Sequence, residues 1–103
     1  MNSKLPKNPH PGDTIREDFL EPLGMTPYRL AKGMRVEPSR VLEILSGKRS
    51  VTADTAIRLS KHLGASPEFW LGLQAEYDLR EARRAKADIY ATIEPREGLD
   101  KAA

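Results

Sequence analysis

The sequence has no cysteine, which excludes disulfides, thiolate metal ligands and a cysteine nucleophile. No apolar run approaches the ~20 residues that a membrane span needs, and the N-terminal residues lack the apolar centre of a secretory signal. A cytoplasmic location with no membrane partner is therefore expected. Aromatic residues are scarce, at 6%, and stretches of period-two alternation are few, so there is little from which to build a sheet. Catalytic groupings are missing as well: no Ser/His/Asp set, phosphate loop or paired-carboxylate constellation stands out. Asp13 and Glu17 lie one helical turn apart near His10, but two acids close to a helix start ordinarily serve the helix dipole. His62 stands by itself near a helix end, where a cation is favoured. No enzyme activity, metal or cofactor is expected.

What is present is helical periodicity punctuated by proline and glycine. The 103 residues, 39% hydrophobic and 31% charged, suit one ordinary globular domain with a modest core. Residues 1–10 show no periodicity and read as a flexible arm, whose Lys4 and Lys7 could follow a groove. A domain of five helices over 11–88 follows. The first helix is expected from Gly12 to Leu20, with Ile15, Phe19 and Leu20 inward and Pro22 and Gly24 breaking it. Thr52 suits the N-cap of a fourth helix to Leu63, burying Ala56, Leu59, Leu63 and part of Ile57, with Gly64 ending it. Ser66 and Pro67 open a long fifth helix that reaches at least Arg80 and extends to Ala85 or beyond. In the tail, residues 89–103, Ile89, Ala91 and Ile93 alternate before Pro95, leaving two readings, a short strand or a frayed end, before a disordered stretch from Gly98 to Ala103.

Between Thr26 and Arg49 lie the most informative residues, two short amphipathic helices joined by a tight turn. Thr26 suits an N-cap and Pro27 the first helical position, where a missing N–H is harmless. A period of 3.6 puts Pro27, Leu30, Ala31 and Met34 on one face and turns Tyr28, Arg29 and Lys32 away. The next helix starts after Val36 with Pro38 in its first turn, and Gly47 stops it. Its apolar stripe is Val41, Ile44 and Leu45. Opposite lie Ser39, Glu43 and Ser46, flanked by Arg40 and Leu42. This outer face is less charged than a solvated one, and its small polar groups let a backbone approach closely. Lys48 and Arg49 follow at the helix end, where they complement the dipole and can meet phosphates. The segment carries Arg29, Lys32, Arg35, Arg40, Lys48 and Arg49 against Glu37 and Glu43, a surplus of four in a chain of net charge +2. Basic charge is thus concentrated where a helix-turn-helix meets nucleic acid.

The run LAKGMRVEPSRVLEILSGKR resembles the XRE (Cro/C1-type) helix-turn-helix, whose usual pattern is LAxxxGVxxxxVxxIxxGKR. The flanking strings HPGDTIREDFLEPLG and VTADTAIRLSKHLGASPEFWLGLQAEYDLR, with the spacing between them, are similar to the HigA family of addiction-module antitoxins. The likeness covers about His10 to Arg80, and SPEFWLxLQxxYDLR is its most specific part. It implies an all-α, five-helix, lambda-repressor-like fold. It also implies a homodimer that binds its own double-stranded operator DNA as an autorepressor and neutralises a HigB-like toxin, an mRNA-cleaving ribonuclease of the RelE type. One position departs from the pattern: Arg35 occupies the inter-helix turn where the family has glycine, and Gly33 sits two residues earlier. Either Arg35 accepts left-handed geometry, at a cost of about 1 kcal/mol or somewhat more, or Gly33 ends the first helix early and reshapes the turn.

On this docking, Pro38, Ser39, Arg40, Leu42 and Glu43 are the candidates for base contacts. Arg40 would donate to guanine or a phosphate, Glu43 would accept from cytosine N4, and Leu42 would touch a thymine methyl. Thr26, Tyr28, Arg29, Ser46, Lys48 and Arg49 are the candidates for phosphate contacts. The fifth helix carries an aromatic and aliphatic stripe, and Trp70, Leu73 and Tyr77, with Ile89 and Ile93 of the tail, are the candidate dimer interface. Two recognition helices on a twofold axis would read half-sites ~34 Å apart. A free-standing regulator without a toxin, and an interaction module that no longer binds DNA, are the alternative readings.

Overall fold

A computed structural model describes residues 8–98, in which five helices and no strand are found. Helix α1 spans 11–23, α2 Pro27–Met34, α3 Pro38–Leu45, α4 Ala53–Leu63 and α5 Pro67–Ala91. Local chemistry starts all five. Prolines stand in the first turns of α1, α2, α3 and α5. The hydroxyls of Thr26, Thr52 and Ser66 each accept the N–H three residues on, at 3.0–3.3 Å, satisfying donors that a helix N-terminus would otherwise leave open.

Helix α1 is longer than the expected Gly12–Leu20, because Pro22 does not break it. Its middle, Ile15–Leu20, has the wider π-helical turn, and the Glu21 N–H reaches back to the Arg16 carbonyl. Widening the turn immediately before Pro22 relieves the clash that a proline ring makes with the preceding α-helical turn. The chain stops instead at Gly24, which takes the left-handed region at φ 62°. Part of the stretch expected as a flexible arm is packed against α5. Asn8 and His10 are buried: the Asn8 amide donates to the Tyr77 carbonyl and to Glu81 and accepts from Arg80 Nε. Lys4 and Lys7 lie outside the described residues.

Ile15, Leu20, Leu30, Ala31, Met34, Val41, Ile44, Val51, Ala56, Leu59 and Trp70 form the core, so each of the five helices contributes to one apolar interior. Trp70 is its largest member, fully buried, with Phe19 and Phe69 ring centroids 5.1 and 5.0 Å away and its indole N–H on the Gly64 carbonyl at 3.3 Å. Truncating such a residue to alanine costs about 3–5 kcal/mol, a large part of the ~5–15 kcal/mol that holds a domain together. Trp70 therefore belongs to the core of its own chain, and its assignment to a dimer interface is corrected. Leu73 also packs against this core, and Tyr77 sets its ring edge-on to His10 at 4.8 Å. Ile57 is half exposed, as its partial burial required.

The strand reading of the tail is corrected too. Helix α5 continues through Ile89 to Ala91, with one non-helical residue at Lys86 (φ −127°, ψ 30°), and Thr92 caps it through a hydroxyl bond to the Ile89 carbonyl. An isolated strand would leave its backbone groups without partners, whereas a helix satisfies them itself. Three alanines, Ala85, Ala87 and Ala91, in the last seven residues of the helix favour it. Of the stretch expected to be disordered, residues 99–103 lie outside the described residues.

Candidate nucleic-acid interface

Helices α2 and α3 form the two arms of the helix-turn-helix, and both present the faces that periodicity assigned. Leu30, Ala31 and Met34 of α2 are buried, while Tyr28, Arg29 and Lys32 are exposed. Val41 and Ile44 of α3 are buried and Leu45 is half-buried. Ser39, Leu42 and Ser46 are exposed, with Arg40 and Glu43 at the margins.

The turn between the arms resolves the anomaly at Arg35. Gly33 stays helical and Arg35 itself adopts the left-handed conformation (φ 61°, ψ 46°). The Arg35 N–H bonds the Lys32 carbonyl at 3.1 Å and the Val36 N–H bonds the Ala31 carbonyl at 3.0 Å, the paired hydrogen bonds of a left-handed helix stop. Val36 then packs onto the core. A guanidinium from α4 helps hold this turn: Arg58 Nη1 donates to the Met34 carbonyl at 2.8 Å and the Arg35 carbonyl at 3.2 Å. Bonds from a cationic donor offset part of the ~1–2 kcal/mol that left-handed geometry costs a residue with a Cβ. Gly33 has a different use, since a Cβ there would overlap the His62 ring. The His62 ring thus lies close against α2 at Gly33.

The far end of α3 is held by α1. Gly12 is buried so closely against the Ile44 and Leu45 backbone that a Cβ would overlap the Ile44 carbonyl oxygen. Arg16 Nη2 donates to the Leu45 carbonyl at 2.7 Å while its Nη1 meets Asp13 at 3.1 Å, satisfying a terminal carbonyl of α3. Asp13 also accepts the His10 N–H at 3.0 Å, and His10 Nδ1 accepts the Gly12 N–H at 2.9 Å. These reciprocal bonds are a capping box. His10 and Asp13 are thus engaged in starting α1, and Glu17 is exposed. Among the described residues no group of three acidic or histidine side chains is arranged to hold a metal. Loss of hydration on burial lowers the His10 pKa, with the charges of Asp13 and Asp78 opposing it.

At Gly47 the chain turns with φ 81°, and the N–H groups of Lys48 and Arg49 fold back onto the Glu43 carbonyl at 2.8 and 3.2 Å. Both cationic side chains are therefore exposed beside the α3 C-terminus. Two of the candidate base readers are found in intramolecular pairs. Glu43 is bonded by Arg49, Nη2 at 2.7 Å and Nε at 2.8 Å, which offsets the repulsion that a bare carboxylate would feel near phosphate. Arg40 is bonded to Asp54 of α4 at 2.9 Å. The hydrogen bonds of Arg40, first, and then Arg58 hold the Asp54 carboxyl below its ordinary range. Arg16, Asp54 and Arg58 escape a reading of the sequence, because they act from helices outside the motif and periodicity marks them only as polar positions.

Among the candidate dimer residues, Ile89 near the end of α5 and Ile93 just beyond it are 60% and 67% exposed, and Leu79 and Tyr90 of α5 are exposed as well. No helix among the described residues is long and apolar enough to cross a membrane.

Residues 16–70 match the helix-turn-helix family. The chain is 44% identical over 84 residues to virulence-associated protein I of Dichelobacter nodosus, covering 82% of this chain and 78% of that protein. It is 36% identical over 84 residues to antitoxin HigA-1 of Vibrio cholerae, with 82% and 79% covered. Among solved structures, the Pseudomonas aeruginosa antitoxin HigA with the higBA promoter superposes with a TM-score of 0.82 at 37% identity, over 86% of this chain and 98% of that one.

Proposed function

Because the chain belongs to the HigA family of helix-turn-helix antitoxins, we propose that it binds the operator of its own gene as a homodimer, represses that gene, and neutralises a HigB-like ribonuclease toxin. The observation that carries the DNA reading is the outward face of α3. It is solvent-exposed at Ser39 and Leu42, has Arg40 and Glu43 at its margins, and is followed by the exposed cations Lys48 and Arg49, with Arg29 exposed on α2. A helix clamped at both ends by neighbouring elements is suited to lie in a major groove, its N-terminal residues at base edges and its flanking cations on phosphates. Pro38, Ser39, Arg40, Leu42 and Glu43 are the proposed base-reading set. Thr26, Tyr28, Arg29, Ser46, Lys48 and Arg49 are the proposed phosphate set. The solved relative holds its promoter, which supports the same role here.

The homodimer is argued from arithmetic, since one short helix reads few base pairs and two read a palindrome. The exposed apolar residues Ile89 and Ile93, with Leu73 and Tyr77 nearer the core, are the proposed contact. The toxin partner rests on family membership. The test is a titration against the DNA upstream of the gene, with scrambled DNA as control, at two salt concentrations. Three phosphate-contacting cations per protomer in a dimer correspond to a log–log salt slope of roughly −5. Tight, salt-sensitive preference for the upstream DNA is expected, whereas equal weak binding to both would refute operator recognition. Co-purification with the product of an adjacent small ribonuclease-like reading frame tests the antitoxin half.

A further inference from the structure

A single exposed carboxylate links the proposed reading helix to the turn that precedes it. Asp54, in the first turn of α4, accepts on Oδ2 from Arg40 Nη1 at 2.9 Å and from Arg58 Nε at 2.8 Å. Arg40 lies in the first turn of α3, and Arg58 bonds the Met34 and Arg35 carbonyls of the turn. We propose that Asp54 is a specificity-determining positioning residue, which holds the Arg40 guanidinium at the N-terminal end of α3 in one orientation for base readout without touching a base itself. The inference rests on the operator-binding reading above and concerns how that site discriminates between sequences.

The argument is one of geometry and entropy. An arginine on an open helix face samples many rotamers, and ordering it on DNA costs binding free energy. A fixed carboxylate transfers that ordering to the free protein. Asp54 is well placed for this, because its negative charge is favoured in the first turn of α4 and Arg58 holds it from the other side. The Asp54 bond engages Nη1 of Arg40 and leaves the Nε and Nη2 donors for a guanine edge or a phosphate. Stability does not account for the arrangement, since exposed ion pairs contribute little to folding, and the Asp54 side chain is 57% exposed. A carboxylate beside DNA would also be unfavourable if it were not shared between two cations.

The experiment is a double-mutant cycle in full-length protein with D54N, R40A and both together. It measures affinity for the upstream DNA and for scrambled DNA at one salt concentration, after thermal melts establish that each variant is folded. D54N is expected to lower the ratio of upstream to scrambled affinity about tenfold, with scrambled affinity unchanged or raised by the loss of a negative charge. In the R40A background, D54N is expected to leave the ratio within about twofold. An unchanged ratio in D54N overturns the proposal. So does an equal fall in the R40A background, because the effect would then run through Arg58 and the turn. If the wild-type chain shows no preference for upstream DNA, the operator reading itself fails, and the inference falls with it.

Discussion

Replacing Gly12 by alanine tests whether close approach of α1 sets the position of α3. In an ordinary helix the change would gain up to ~1 kcal/mol from helix propensity. Here the new Cβ would overlap the Ile44 carbonyl oxygen and lie 2.8 Å from the Leu45 Cα. Both are backbone atoms, which cannot rotate away as a side chain can, so α1 and α3 must separate. Overpacking of this kind costs about 1–3 kcal/mol, and the severity of the overlap places it at the upper end. The net loss is therefore about 2 kcal/mol, which in a domain of this size lowers Tm by roughly 10 °C. Because α3 is the element displaced, affinity for the upstream DNA should fall beyond what the lost stability explains. Two other glycines supply controls. At Gly72 no atom lies within 4 Å of a new Cβ, so alanine should stabilise by about 0.5–1 kcal/mol. At Gly33 the obstacle is the exposed His62 ring, which can swing aside, so alanine should change stability by less than ~1 kcal/mol. Thermal melts followed by helical circular dichroism measure all three. A Gly12→Ala variant that melts at or above the wild-type temperature would refute the reasoning.

Arg35→Gly should raise Tm by about 5 °C, since glycine takes left-handed geometry without the ~1 kcal/mol penalty; a lower Tm would show that the arginine side chain contributes more than its strain costs. His10 must be neutral to accept the Gly12 N–H, and its pKa lies below 6.5 in the folded chain. The unfolded chain then binds more protons over that window, so His10's contribution to stability is complete above pH 6.5 and is lost as pH falls through the folded pKa. Melts between pH 7.5 and 5.5 should show the decline, and His10→Asn should flatten it. Lys48→Ala should weaken upstream and scrambled DNA alike and reduce the salt slope by about two, one for each protomer of the dimer, while Arg40→Ala should cost ~1–3 kcal/mol on the upstream DNA or change its preference. Both are read by titration, and unchanged affinity in both variants would refute the docking. Ile89→Lys combined with Ile93→Lys should shift the protein to monomer in sedimentation if the outer part of α5 closes the dimer; an unchanged dimer would place the contact elsewhere.

Helix starts and the faces of α2, α3 and α4 were legible in the sequence because their causes lie within one or two turns of chain. Thr26, Thr52 and Ser66 bond N–H groups three residues away, prolines preset the first turns, and the apolar spacing repeats every 3.6 residues. The concentration of basic residues around the turn was legible for the same reason, as was the family through its motif. The tertiary structure decided matters in which partners are distant along the chain. Periodicity placed Trp70 on an apolar stripe, but only the arrangement of five helices showed that the stripe faces its own interior. The alternation of Ile89, Ala91 and Ile93 was compatible with a strand, but no neighbouring strand is found among the described residues, and a helix satisfies the backbone unaided. Pro22 was expected to break α1 and is accommodated by a π-helical turn. The parts that hold α3 in place, Gly12 and Arg16 at its C-terminal end and Asp54 and Arg58 at its N-terminal side, are between 14 and 33 residues from the groups of α3 and its preceding turn that they contact. Backbone preference is written locally, whereas which distant side chain meets which carbonyl depends on how whole helices settle against one another.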